Sequence, residues 1–287
     1  MNVFQGALAA AVVAGLGSMS LAQVTGTVTL TGEPPEAAVI DMSGVAECAA
    51  QHADPQYEET VLVGENGELA NVIVAISPDA HGDIGGDVPA DPVTIDQHGC
   101  MYTPHVLAMM TGQKMVVKNS DPFLHNVHSL SEANPQFNFG QQNLDEGKEV
   151  PDSPKVSEYF RIKCDVHPWM SAYVGVFPHP YFAVTGDDGS FSIANVPDGE
   201  YTFVAWHEKY GTQEGTATVA DGKGEITFTF DASSAQADPA PAMSDVKLVS
   251  DEKETPKDCA PAADSCCPSG VKKVADTKPE QPQAAAN

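Results

Sequence analysis

A thiol, an imidazole and a thioether fall within seven residues in Cys164-Asp165-Val166-His167-Pro168-Trp169-Met170. A thiolate and an imidazole held tightly, with a thioether held weakly, form the donor set of a copper electron-transfer site once a second histidine joins them. The candidate for that histidine is His125, in Asn119-Ser120-Asp121-Pro122-Phe123-Leu124-His125-Asn126-Val127-His128. His128 competes for the place, but three positions along a strand reverse the face, so the two cannot readily serve one ion. His125, Cys164, His167 and Met170 are therefore the candidate metal ligands, and copper is the expected ion. Asn126 is a candidate for tying the two ligand segments together by hydrogen bonds. An ordinary polar strand residue is the plainer account of it.

The strand leading into the loop must aim the thiol. From Tyr159 to Cys164, period-two alternation sets Phe160, Ile162 and Cys164 on one face and Tyr159, Arg161 and Lys163 on the other. Cys164 then points inward, where a thiolate is shielded from water and oxidation. Pro168 stiffens the loop so that His167 and Met170 can turn back over one atom. His167, flanked by Pro168 and Trp169, is the expected electron port, as a partly exposed imidazole amid apolar groups. Trp169 could equally be core packing. A buried structural cysteine beside an unrelated histidine is the alternative for the loop taken alone.

Other chemistry-bearing residues are weaker candidates. His98, Cys100 and His105 could hold a second metal, Met101, Met109, Met110 and Met115 could load copper, and Trp206-His207-Glu208 could be a strand-end cluster. Six cysteines are present, and assigning Cys164 to metal leaves Cys48 and Cys100 as the natural disulfide of the folded region. Cys259, Cys266 and Cys267 lie in a tail, where they could bind cuprous ion or form intermolecular disulfides. No Cys-x-x-x-Cys, CxxCH or His-x-His motif appears, which argues against an oxidase, so no enzymatic activity is expected.

The net charge of −26 and a single arginine, Arg161, argue against nucleic acid or an anionic membrane as partner. A redox protein with a basic docking face fits better, while acidity that only keeps a secreted protein soluble is the plainer account. An apolar run from Gly6 to Gly17, then Ser20 and Ala22, reads as an export leader cleaved after Ala22, although no Lys or Arg precedes it. A periplasmic or secreted location follows, with no membrane span.

The elements are almost all strands. Val24–Leu30, a hairpin of Thr60–Val63 with Asn71–Ile76, and the pair Val106–Met110 and Lys114–Lys118 come first. Ser131–Ser153 reads as a loop or short edge hairpin anchored by Phe137 and Phe139. After the Cys164 loop come Ala172–Phe177 and five closely spaced strands from Phe182 to Phe230, separated by turns such as Asp187-Asp188-Gly189. From Ala232 the Ala/Pro/Ser-rich composition predicts disorder.

Lys118–His128 and Cys164–Met170, in this order, resemble the cupredoxins, and the short ligand loop is similar to that of the amicyanin type. The resemblance covers about residues 97–180. It implies a Greek-key β-sandwich, one type 1 copper ion on His125, Cys164, His167 and Met170, and one-electron transfer. Gly189–Ile193, Val196-Pro197-Asp198-Gly199 and Tyr201–Trp206 resemble carboxypeptidase regulatory-like, transthyretin-like modules, which implies a non-catalytic sandwich over 181–231. The expected layout is a leader (1–22), N-terminal strands (23–96) that could complete the second sandwich, a copper domain (97–180), that sandwich, and a tail (232–287). The competing function is a binding or scaffold protein whose metal site is vestigial or stores copper.

Overall fold

Branched and aromatic residues alternating with polar ones set most of the chain in strands, and Gly-centred turns separate them. The computed structural model describes residues 23–82 and 84–236. The expected leader lies outside the described residues, as does the expected tail after residue 236. Ala232–Ser234 forms a 3-10 turn capped by Asp231, so ordered chain continues past the expected boundary.

In chain order the strands are β1 (Gln23–Thr31), β2 (Ile73–Ile76), β3 (Val93–His98), β4 (Met101–Thr103), β5 (Val106–Met110) and β6 (Met115–Asn119). Next are β7 (His125–Ser129), β8 (Asn138–Gln141), β9 (Asp145–Glu149), β10 (Glu158–Lys163), β11 (Ser171–Phe177) and β12 (Phe182–Val184). Last come β13 (Ser190–Ala194), β14 (Gly199–His207), β15 (Gly211–Val219), β16 (Lys223–Glu225) and β17 (Phe228–Asp231). Two short helices, α1 (Ala46–Ala49) and α2 (Pro78–His81), interrupt them. The all-β class expected from the sequence is what the chain adopts.

The strands form four sheets. The first runs β4-β3-β6-β9, the second β5-β11-β10-β7-β8, and the third β12-β2-β14-β15. In the fourth, β1 pairs antiparallel with β13 and parallel with β16 and β17. Three apolar cores lie between them. Ile95 and Val117 of the first sheet meet Val127, Ile162 and Val174 of the second. Val74, Ile76 and Phe203 of the third sheet meet Val28, Phe191 and Phe230 of the fourth.

The remaining core joins the second sheet to the third. Val106, Tyr159, Tyr173 and Phe177 pack on Ile73, Ala75, Val204 and Trp206. The Tyr159 and Trp206 rings stack with centroids 4.7 Å apart and planes 7° from parallel. Such pairs contribute about 0.5–1.5 kcal/mol beyond the area they bury. The second sheet is thus apolar on both faces. In β10, Phe160 and Ile162 enter one core while Tyr159 enters the other.

Several sequence expectations shift. Thr60–Val63 is not a strand: only a Val63–Leu69 bridge forms, because past Ala70 the chain turns to Thr185, which accepts the Asn71 and Val72 amides, and β12 and β14 take both edges of β2. Ser131–Ser153 is neither loop nor hairpin: β8 extends the second sheet beside β7, and β9 extends the first beside β6. The first sheet begins at Val93, ahead of residue 97, because β3 runs parallel to β6 from Val93↔Met115 onward. Ile40, Met42 and Cys48 also belong to the core between the first two sheets. No helix among the described residues is long and apolar enough to cross a membrane.

Candidate metal centre

The end of β10, the start of β7 and the loop between β10 and β11 meet at one buried point. Cys164 directly follows β10, on the face that Phe160 and Ile162 define, and is buried. His167 N donates to Cys164 Sγ at 3.4 Å, which curls the loop back over the sulfur. Cys164 N donates to Met170 O at 3.2 Å and Met170 N to His167 O at 3.0 Å, closing the turn. Met170 is fully buried in the same core.

His125 opens β7 with its ring 0% exposed. Its Nδ1 lies 2.9 Å from His167 Nδ1, and His167 Nδ1 lies 3.7 Å from Cys164 Sγ. One donor atom from each of His125, Cys164 and His167 falls within 4.8 Å of the others. His128 points away: its Nδ1 is 3.0 Å from Asp165 Oδ2 at the surface. Asn126 Oδ1 accepts from Asp165 N at 3.0 Å, and Asn126 Nδ2 donates to Asn138 Oδ1 at 2.6 Å. The two ligand-bearing segments are joined through this side chain.

Asp121 joins the cluster although no motif in the sequence marks it. Its carboxylate is fully buried and Oδ2 lies 2.7 Å from His125 Nε2. The same carboxylate accepts from Gly99 N and Cys100 N, each at 2.8 Å. Gly99 and Cys100 have φ of +62° and +57°, the paired positive values of a two-residue β-hairpin turn, which aim both amides at Asp121. Asn119 fixes the intervening loop, accepting from Asp121 N and donating to Phe123 O. With Nε2–H donated to Asp121, the His125 Nδ1 lone pair is left facing His167 and Cys164.

Burial opposes charge on these groups, yet their mutual hydrogen bonds prevail. Burial raises the Asp121 carboxyl, but the His125 ring and the Cys100 and Gly99 amides outweigh it and bring it down to about 2. Burial lowers His125, but hydrogen bonds to Asp121 and Cys164 raise it on balance. For Cys164 burial is again opposed, here by His125, His167 and the amides of Asn126 and His167, and the thiol falls to about 5. The sulfur is therefore a thiolate at neutral pH, the form that binds metal.

Cys48 of α1 and Cys100 form a disulfide whose sulfurs lie within 4.8 Å of a His167 ring nitrogen. Bonded to each other, they are not thiolate donors, so the further groupings of Cys100 with His167 or with Asp121 and His125 do not make a second centre. His98 is exposed, 3.8 Å from Asp121, and His105 is engaged elsewhere, with Nε2 2.5 Å from Glu208 Oε1. Met109 and Met115 are core residues.

The expected electron port is corrected. His167 is 2% exposed rather than partly open, because Phe123 and Trp169 pack on its ring at 6.4 and 5.4 Å and Pro168 forms the outer surface. Trp169 is half-buried, its Nε1 donating to Cys100 O at 3.0 Å.

No protein-family model matches the chain, and no curated protein is similar to it. Among solved structures it is similar to a Cu-containing nitrite reductase from Thermus scotoductus SA-01, at 18% identity and a TM-score of 0.28, over 36% of this chain and 27% of that one. A purple cupredoxin from Nitrosopumilus maritimus matches at 21% identity and a TM-score of 0.25, over 29% of this chain and 98% of that one. An oxidised amicyanin variant matches at 17% identity and a TM-score of 0.27, over 31% and 86% respectively.

Proposed function

We propose that His125, Cys164, His167 and Met170 hold one type 1 copper ion and that the protein passes single electrons between redox partners outside the cytoplasm. The observation that carries this reading is the convergence of two imidazole Nδ1 atoms on an acidified, buried thiol. The donor set matches the ion: one soft thiolate, two imidazoles and a buried thioether in the next turn suit a metal cycling between cuprous and cupric states. Bound copper would supply the one-electron couple.

The rest is the chain's work. Asp121 holds the His125 ring by Nε2, and the Asn126 bridge to Asp165 fixes the distance between the two ligand segments. The amides of His167 and Asn126 withdraw charge from the thiolate, and the surrounding core excludes water from it. Donors already gathered in one place mean little has to move when the charge changes. A partner would dock over Pro168, beneath which His167 lies. The acidity of the chain favours a basic face on that partner. The strands from 181 to 231, with β1 and β2 completing their two sheets, would be in this reading a transthyretin-like module that carries the copper half without reacting.

Titration of the purified protein with cupric ion tests the reading. An intense visible thiolate-to-copper band at one equivalent is expected. Copper-loaded protein that stays colourless while Cys164 remains alkylatable would favour the scaffold or storage role instead.

A further inference from the structure

A second concave site lies beside the ligand loop, at the seam between the second and third sheets. It is a cavity of about 260 Å³ whose wall includes Arg161, Trp169, Tyr173, Lys209 and Glu59. Of the three carboxylates in this wall, Glu58, Glu59 and Glu208, the last two share His105 as a partner. Glu208 is buried and takes the His105 ring, and Glu59 Oε2 lies 3.9 Å from His105 Nδ1. His105 Nδ1 also donates to Ser171 O at 3.2 Å, and although burial disfavours charge on the ring, the Glu208 and Glu59 carboxylates raise it on balance.

The cations are different. Arg161 is the single arginine of a chain with net charge −26. Among the described residues neither Arg161 nor Lys209 has a carboxylate within ion-pair distance. Arg161 Nε is buried with no protein acceptor, which is costly for a charged donor. A planar guanidinium fork is matched by a carboxylate. Pro168, Ile40 and Met101 add apolar surface, and the volume is at the small end of ligand pockets.

We propose that this cavity binds a small organic carboxylate, its head group on Arg161 and Lys209 and its apolar part against Trp169. The site is separate from the metal centre and needs no copper. It shares only Pro168 and Trp169 with the ligand loop.

Benzoate titrated into the copper-free full chain tests this by calorimetry and Trp emission, with inorganic phosphate and benzylamine as comparison probes. Saturable 1:1 binding of benzoate is expected, with a change in Trp emission. Arg161→Gln should weaken it roughly tenfold to a hundredfold, Arg161→Lys less, and Lys209→Gln measurably. Far-UV circular dichroism identifies any variant that fails to fold, and the half-buried Lys209→Gln change then carries the test. No saturable benzoate binding would overturn the proposal. So would tighter binding of phosphate or benzylamine, or unchanged affinity in every folded variant.

Discussion

Asp121 Oδ2 lies 2.7 Å from His125 Nε2, and both side chains are fully excluded from solvent. The carboxylate also holds the Gly99 and Cys100 amides, so a single side chain links the disulfide-bearing turn to the His125–Cys164–His167 cluster. Asp121→Asn keeps the shape but removes the charge that orients the ring. Copper affinity should fall roughly 10- to 100-fold, as measured by competition with a chelator of known affinity.

Cys164→Ser should abolish the visible band of the copper-loaded protein, because a serine hydroxyl stays protonated where the thiol falls to about 5. The fold should survive, since the change is nearly isosteric. Absorption spectra and circular dichroism read the two outcomes separately.

Trp206→Ala should cost about 3–5 kcal/mol of stability. The ring is buried against Tyr159 and Tyr173, and its removal opens the core between the second and third sheets. Chemical denaturation of the copper-free chain measures it.

Cys48 and Cys100 are 52 residues apart in sequence, so their bond closes a long loop in the unfolded chain. Replacing both with alanine should cost about 2–5 kcal/mol. Denaturation midpoints of the two proteins give the difference.

His207 is buried against Tyr210 and Phe230, and burial first, then the nearby His105, lowers it to about 3. Above about pH 6.5 the ring is neutral folded or unfolded, so it adds no pH dependence. Below that, the unfolded chain takes up a proton that the folded one refuses until about pH 3, so stability falls with falling pH in that window. Against His207→Gln, the wild type should lose stability progressively from pH 6.5 towards 3. Parallel denaturation curves at several pH values show the slope.

How far the sequence speaks for the fold differs by element. The Cys164 loop is legible because its donors are contiguous and the alternation from Tyr159 fixes which face the thiol takes. His125 could be placed, and His128 set aside, by the same period of two. Asp121 could not, although it stands four residues before His125. Its partnership depends on a loop held by Asn119 and on a hairpin turn from elsewhere in the chain. The burial of His167 escaped for a similar reason, since Phe123 arrives from the segment before β7.

The core shared by the second and third sheets leaves a trace in the sequence. Ala172-Tyr173-Val174-Gly175-Val176-Phe177 is apolar without alternation, as strands covered on both faces are. Thr60–Val63 misled in the other direction. Its pattern suits a strand, but the expected partner β2 is already paired on both edges, by β12 and β14.

The two-sided burial of the second sheet also bears on how the protein can be handled. Isolating residues 93–177 would strip Ile73, Ala75, Val204 and Trp206 from Val106, Tyr159, Tyr173 and Phe177 and leave these facing water as one continuous apolar surface. A fragment of that kind is an aggregation hazard, so the sheets around Cys164 are not a detachable module, and changes to that loop belong in the intact chain.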